Sequence, residues 1–307
     1  MIKKLNAPFL NPEEVEGVFL IVLSKTQELI SGEHSSRFVG VSGFDFSSIR
    51  EKQPDDPSKR IDWAKSTFTG FNPLMVREMV EERTVEVLIV ADASLSTRFG
   101  LNGITIGHGI ARVIATVGFS AAIIQDPVAQ LVFTDDRSSF ESFGMGKNHV
   151  LYLLDLYQDH DRLSRDFLLK NLSETVSGEI RRTSLVVFIS DFLSPETVNA
   201  CKGLADLASV NDIVVLMVDA SFAFELPRTS SSWVGCYDAE SGRHKIFSAR
   251  ELKRLRHKVF AYQEEAAADI EKMGLEVLRV SPESKQFHDD ILHFFLDRRL
   301  QGSRIRN

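Results

Sequence analysis

The chain has 307 residues, 43% hydrophobic and 26% charged, which is the composition of a soluble globular protein with one large domain or two ordinary ones. Its formal net charge of −7 excludes the basic footprint of a nucleic-acid-binding protein. The two cysteines, Cys201 and Cys236, have the spacing of neither a zinc site nor a disulfide framework, and the apolar run of residues 18–23 is too short to span a bilayer. We therefore expect a cytoplasmic protein that does not insert into membranes.

Two different patterns precede residue 84. Residues 13–31 carry apolar side chains at helical spacing and end at Gly32, which predicts an amphipathic helix. Residues 34–83 contain dispersed glycines, prolines and charges, but they are too rich in aromatic residues for a disordered linker. We predict that residues 1–83 form this helix and an irregular segment packed on the core, with short strands near Phe44 and over residues 74–80.

From Val85 onward, strand and helix patterns alternate along the chain. Predicted strands cover residues 85–92, 129–133, 139–143, 184–190, 212–218 and 275–280. Predicted helices cover residues 104–124, 148–157, 165–175, 195–207, 249–273 and 285–300, and residues 233–247 have the pattern of a small β-hairpin. The alternation predicts a Rossmann-like α/β domain over residues 84–300, with a mostly parallel sheet, helices on both faces and the hairpin as an insertion, followed by a basic tail over residues 301–307.

The most informative stretch begins at the first strand of this domain. A continuous apolar run stops at Asp92, and Ser94 and Ser96 follow at alternate positions. Alternate side chains of an extended loop point the same way, so these three oxygens can converge on one hard cation such as Mg²⁺ or Mn²⁺. A purely structural alternative is that Asp92 turns the chain and Ser96 caps the next helix.

A second aspartate is expected at the same place. Of the aspartates that end strands, Asp92 and Asp191 each follow a largely apolar strand, and neighbouring strands would place both carboxylates in one crevice. Two carboxylates there repel each other unless a cation lies between them. No nucleophile–base pair accompanies them, because the histidines nearest in sequence, His108 and His149, lie within predicted helices, where a structural or surface role is favoured.

Two longer matches identify a family resemblance. The segments VADASLS and FISDF resemble the metal-ion-dependent adhesion site of von Willebrand factor type A domains. The segments GVSGFDFSSIREKQPDDPSKRIDW and PLMVREMVEER resemble the bacterial family called domain of unknown function 58, which places such a pattern before a type A-like domain. The resemblance implies a type A-like fold, and it implies that the metal ligands are Asp92, Ser94, Ser96 and Asp191.

The resemblance also marks one departure from the type A pattern. Type A sites take a fifth ligand, a threonine, from a loop between helices. The stretch we align with that loop, residues 144–148, has no threonine and carries Lys147. A domain that has lost its metal is therefore one alternative.

The leading functional prediction is a non-enzymatic protein-binding adaptor that uses this metal site. Through the resemblance, its expected partner is a MoxR-type AAA+ ATPase. A metal-dependent hydrolase or phosphotransferase is the other alternative, although Ser94 stands where phosphotransferases of this kind carry a second acidic residue.

Five residues are further candidates for partner contact. Tryptophan and arginine are favoured anchors at interfaces, which singles out the Arg-x-Asp-Trp cluster; Lys147 and Asn148 lie in the stretch assigned to the rim of the metal site. The structural alternative for the cluster is a salt bridge and an aromatic plug that fasten the irregular segment to the sheet. The candidates are Arg60, Asp62, Trp63, Lys147 and Asn148.

Overall fold

The fold is taken from a computed structural model, which describes residues 9–31, 45–54, 56, 58, 61–80, 84–101, 103–159, 163, 165–225, 233–237 and 244–304. The chain forms two compact units, one of residues 1–25 with 85–307 and the other of residues 26–84.

The helices and strands follow the predicted alternation except over residues 165–175, where a short strand and a turn precede a helix that begins only at Leu172. The first four elements are α1 (Pro12–Ser31), β1 (Asp45–Glu51), α2 (Trp63–Phe68) and β2 (Met75–Val80). The next nine are β3 (Glu86–Asp92), β4 (Gly100–Leu101), β5 (Ile104–Thr105), α3 (Ile106–Ile123), β6 (Val128–Phe133), β7 (Arg137–Gly144), α4 (Lys147–Gln158), β8 (Arg165–Asp166) and α5 (Leu172–Glu179). The last eight are β9 (Ser184–Ser190), α6 (Pro195–Leu207), β10 (Asp212–Val218), β11 (Trp233–Tyr237), β12 (His244–Ser248), α7 (Ala249–Lys272), β13 (Glu276–Val280) and α8 (Phe287–Arg304).

Seven strands form the central sheet in the order β13-β10-β9-β3-β6-β7-β8. The first five are parallel, β7 pairs antiparallel with β6, and the short edge strand β8 pairs antiparallel with β7. The predicted α/β fold with a mostly parallel sheet is thus confirmed. Within this sheet, the next strand in sequence after β3 is β6, which lies on one side of β3, whereas β9 lies on the other side. The strand order therefore reverses between β3 and β9.

The apolar run of β3 is buried on both faces of the sheet. Val87, Ile89 and Ala91 belong to a core on one face, with α1, α3, α4 and α8. Leu88 and Val90 belong to the core on the other face, with α5, α6 and α7. This arrangement explains why the strand is continuously apolar rather than alternating.

Helix α1 packs by its first turns on the sheet-containing unit. Val18 and Val22 are buried there, and the Lys147 ammonium lies 3.0 Å from a Glu16 carboxylate oxygen and 3.8 Å from the centre of the Phe19 ring. Helix α3 is long and apolar enough to cross a membrane, but in this fold most of it is buried against the sheet. These contacts account for the grouping of residues 1–25 with residues 85–307.

The unit of residues 26–84 contains the antiparallel pair β1–β2 and helix α2. Asp62 is buried and caps α2, since its carboxylate accepts a hydrogen bond from the Lys65 backbone N–H at 3.0 Å. Trp63 has 60% of its surface exposed. Arg60 and the turn of the predicted β11–β12 hairpin lie outside the described residues.

Candidate metal site

The carboxyl ends of β3 and β9 meet at the point where the strand order reverses. Strand β3 ends at Asp92, and Asp191 directly follows β9, its hydrogen-bonded neighbour. Both side chains, together with Ser94 and Ser96, line one cavity of about 30 Å³, which has room for an ion or a water molecule. The structure therefore brings together all four residues that the sequence predicted as ligands. Open α/β sheets bind ligands at this kind of crevice.

Asp92 is fixed by hydrogen bonds from three directions. One carboxylate oxygen accepts from the Ser94 backbone N–H at 2.8 Å, and the other accepts from the Ser190 hydroxyl at 2.6 Å. The Tyr157 hydroxyl, which is fully buried, donates to the Asp92 backbone carbonyl at 3.0 Å. Neither Ser190 nor Tyr157 was singled out from sequence, because they lie 98 and 65 residues away from Asp92.

The two carboxylates destabilise each other's charge. Burial and then the charge of Asp191 raise the pKa of Asp92 from 3.8 to about 7, against the opposing effect of the Ser190 and Ser94 hydrogen bonds. Burial likewise raises the pKa of Asp191, and the Ser96 hydroxyl is near enough to offset part of this rise. Burial and the same two carboxylates raise the pKa of Tyr157 well above 10.0, so its hydroxyl stays protonated.

The carboxylate of Asp191 is only half satisfied. Oδ1 accepts from the Leu193 backbone N–H at 3.0 Å, whereas Oδ2 is buried with no hydrogen-bond partner. The next residue, Phe192, has φ of 51°, a left-handed conformation that costs a bulky residue about 1–3 kcal/mol. Strained backbone and an unpaired buried oxygen thus lie side by side at this strand end.

The oxygens present fit a hard divalent cation. The unpaired Oδ2 of Asp191 lacks a positive partner, and the hydroxyl oxygens of Ser94 and Ser96 lie 3.1 Å apart on the same cavity wall. Among the described residues, no three His, Cys, Asp or Glu side chains form a metal-binding group, so this set depends on hydroxyls beside its two carboxylates. Such an oxygen-only set suits Mg²⁺ or Mn²⁺ rather than zinc or copper.

Several residues of the cavity wall were missed by the ligand prediction. Thr134 and Asp135 follow β6, the other neighbour of β3. Thr197 lies in the first turn of α6, the helix that follows β9 in the sequence. The Thr197 hydroxyl donates to the Ser194 carbonyl at 2.7 Å and keeps lone pairs that can accept. Their positions in the sequence could have identified them, because each residue comes shortly after β6 or β9, the two strands that neighbour β3. The full set of additional wall residues is Phe133, Thr134, Asp135, Leu169, Ser194, Glu196 and Thr197.

Residues 144–148 do not belong to the rim of this cavity. In the antiparallel pair of β6 and β7, Gly144 is opposite Val128, the first residue of β6, so the stretch lies at the other end of the sheet from Asp92. Lys147 pairs with Glu16 and covers Phe19, and Asn148 is exposed at the start of α4. Placing Lys147 and Asn148 beside the metal site was wrong, because the direction of β7 was not recognised.

The remaining polar candidates have structural partners elsewhere. His149 contacts the Val128 carbonyl at 2.8 Å, and His108 lies 3.7 Å from a Glu14 carboxylate oxygen. Asp219, another strand-ending aspartate, accepts from Arg279 at 3.0 Å. None of the three lines the cavity.

Fold and site together define an α/β domain with a mostly parallel sheet and a candidate metal site at the carboxyl ends of β3 and β9. Residues 48–270 match the family described as "Protein of unknown function DUF58", and the chain belongs to that family. The uncharacterized protein Rv1480 of Mycobacterium tuberculosis is 24% identical over 293 residues, covering 91% of this chain and 87% of that protein. The uncharacterized protein Mb1516 of Mycobacterium bovis matches with the same values.

Two solved structures are also similar. The conserved hypothetical protein BatB from Bacteroides thetaiotaomicron has 15% identity and a TM-score of 0.39, covering 68% of this chain and 98% of that chain. The SpRpn10 VWA domain has 11% identity and a TM-score of 0.33, covering 68% of this chain and 94% of that chain.

Proposed function

We propose that this chain is a non-enzymatic protein-binding adaptor whose contact with its partner is completed by Mg²⁺ or Mn²⁺. The observation that carries the proposal is the buried, unpaired Oδ2 of Asp191 in the same cavity as Asp92. Two buried carboxylates with raised pKa values favour either protonation or a cation, and the adjacent hydroxyls of Ser94 and Ser96 favour the cation.

The four side chains are suited to hold an ion without neutralising it fully. At most two of them are charged, and they supply four of the six ligands that Mg²⁺ and Mn²⁺ prefer. When bound, the ion supplies net positive charge and a position open to an outside carboxylate. The hydrogen bonds from Ser190 and from the Ser94 backbone N–H keep the Asp92 carboxylate oriented for this role.

A hydrolytic or phosphotransfer role has less support. The described cavity wall contains no His, Cys or Lys, and Ser94 stands where phosphotransferases of this kind carry a second acidic residue. A structural domain without metal remains the alternative that the experiment below separates.

For the partner, the proposal follows the family resemblance and names a MoxR-type AAA+ ATPase encoded nearby. The chemistry demanded of that partner is an exposed aspartate or glutamate that can reach the cavity between β3 and β9. Arg60 and Trp63 remain candidates for a second contact, and Trp63 has the exposure that such a contact requires. Asp62 is not such a candidate, because it is buried and caps α2.

The experiment is a calorimetric titration of the ATPase into wild-type protein and Ser94→Ala, with Mg²⁺ and with EDTA. We expect binding to weaken with EDTA and in Ser94→Ala, which removes one ligand oxygen and leaves the buried strand unchanged. Ser184→Ala is the matched control, because this buried serine lies at the opposite end of β9 and its hydroxyl donates to the Arg182 carbonyl, away from the cavity. Equal binding in all conditions would refute the metal-dependent mechanism while leaving the partnership intact.

A further inference from the structure

Gln263 is a fully buried amide in the middle of α7, and its polar atoms contact the ends of two strands. Its Nε2 donates to the carbonyl of Asp191 at 2.7 Å and to that of Val218 at 2.9 Å. Its Oε1 accepts from the Ala220 backbone N–H and from Arg279, both at 3.1 Å. One side chain thus joins the carboxyl ends of β9 and β10 and satisfies its own hydrogen-bonding capacity.

The Asp191 carbonyl belongs to the strained turn at the metal site. Phe192, at φ of 51°, is held from the other side by its N–H bond to the Ser190 hydroxyl at 3.1 Å and by an edge contact with the Phe188 ring. A left-handed bulky residue persists only where its surroundings fix it. The hydrogen bond from Gln263 fixes the peptide unit between Asp191 and Phe192, on which the direction of the Asp191 side chain depends.

We infer that Gln263 is a positioning residue for the metal site: by holding the Asp191 carbonyl, it keeps the unpaired Oδ2 of Asp191 in the cavity and couples α7 to metal affinity. The inference rests on the proposed function, since it concerns the same cation. Groups that orient metal ligands typically contribute 10–100-fold to metal affinity although they do not touch the ion.

Two substitutions separate the donor from the acceptor half of this amide. Gln263→Met removes both halves, whereas Gln263→Glu keeps an acceptor for Ala220 and Arg279 but loses the donor to the Asp191 carbonyl. The matched control is Ile270→Val, a buried apolar position two turns later on the same helix that takes no part in the hydrogen bonds of Gln263. We expect it to lower stability while every polar partner of Gln263 stays in place.

The measurements are Mn²⁺ affinity, from the electron paramagnetic resonance signal of free Mn²⁺, and amide hydrogen exchange at Phe192 and Leu193 in EDTA. We expect both Gln263 variants to bind Mn²⁺ at least tenfold more weakly than Ile270→Val and to exchange these two amides faster than it does. Wild-type Mn²⁺ affinity and wild-type exchange in Gln263→Glu would overturn the inference. The same result in Gln263→Met, compared with Ile270→Val at equal stability, would also overturn it.

The two readouts also separate this inference from the proposed function. If wild-type protein binds no Mn²⁺, the proposed metal site fails, and the exchange rates alone decide whether Gln263 holds the turn. Accelerated exchange in both Gln263 variants would then support the positioning of Asp191. Exchange equal to that of Ile270→Val would overturn it.

Discussion

Replacing Asp92 with asparagine should stabilise the metal-free protein at pH 8. The carboxyl is 1% exposed, and burial together with the Asp191 charge raises its pKa from 3.8 to about 7. The folded protein holds this proton more tightly than the unfolded chain does. The contribution of the protonated carboxyl to the free energy of unfolding is therefore complete below about pH 4. It is lost as the pH rises through about 7. Asparagine has no charge to lose, so its stability does not follow this decline.

The size of the effect follows from the two pKa values. The interval from 3.8 to about 7, at about 1.4 kcal/mol for each pH unit, corresponds to about 4 kcal/mol as an upper limit. Asparagine can keep the bond from the Ser94 N–H and can donate to the Ser190 hydroxyl, so few other contacts change.

Urea unfolding in EDTA at pH 5 and pH 8 measures the part of this effect that falls between pH 5 and about 7, which is at most about 3 kcal/mol. We expect the Asp92→Asn variant to gain stability relative to wild type between the two pH values. Asp219→Asn is the contrasting control, since it removes the carboxylate that pairs with Arg279 and should lower stability at pH 8. Parallel pH profiles for wild type and Asp92→Asn would show that Asp92 carries no unfavourable charge, and the argument for a cation would lose its basis.

Three further predictions concern the same unit. Mg²⁺ at ten times its dissociation constant should stabilise wild-type protein by about 1.4 kcal/mol, read as a rise in melting temperature, and Asp92→Ala should abolish the rise. Burial, and then the charge of Arg112, lower the pKa of His288 to about 4. The free energy of unfolding should therefore fall by up to about 3 kcal/mol as the pH drops from 6.5 towards 4. In urea unfolding, His288→Gln should show a smaller fall over the same pH range. Tyr157→Phe removes the bond to the Asp92 carbonyl and should cost about 1 kcal/mol of unfolding free energy, whereas an unchanged value would show that this bond contributes nothing.

The central sheet and the pairing of the two aspartates could be predicted because the signals are local. A strand buried on both faces is continuously apolar, and a carboxylate directly after it can only lie at the sheet's carboxyl edge. Asp92 and Asp191 met both conditions, and β3 and β9 are neighbours.

The position of residues 144–148 could not be predicted because strand direction depends on a tight turn. Residues 134–136 connect β6 to β7 so briefly that the two strands must be antiparallel, and this places Gly144 beside Val128. The alternation pattern of β7 alone is the same for either direction.

Gln263 was missed for a different reason. Its partners are backbone groups of β9 and β10, which lie 72 and 45 residues away from it. A weak signal was present, because Gln263 continues the stripe of Ala266 and Ile270 that faces the core. A lone polar residue on an apolar stripe indicates a buried group with fixed hydrogen-bond partners.

The measurement that tests the account most directly is a count of bound Mn²⁺ per chain at pH 8, by electron paramagnetic resonance. The account predicts one ion per chain in wild type and in Ser184→Ala, and strongly weakened binding in Ser94→Ala and Asp191→Asn. No bound ion in wild type, or equal binding in all four proteins, would contradict a metal site formed by Asp92, Ser94, Ser96 and Asp191.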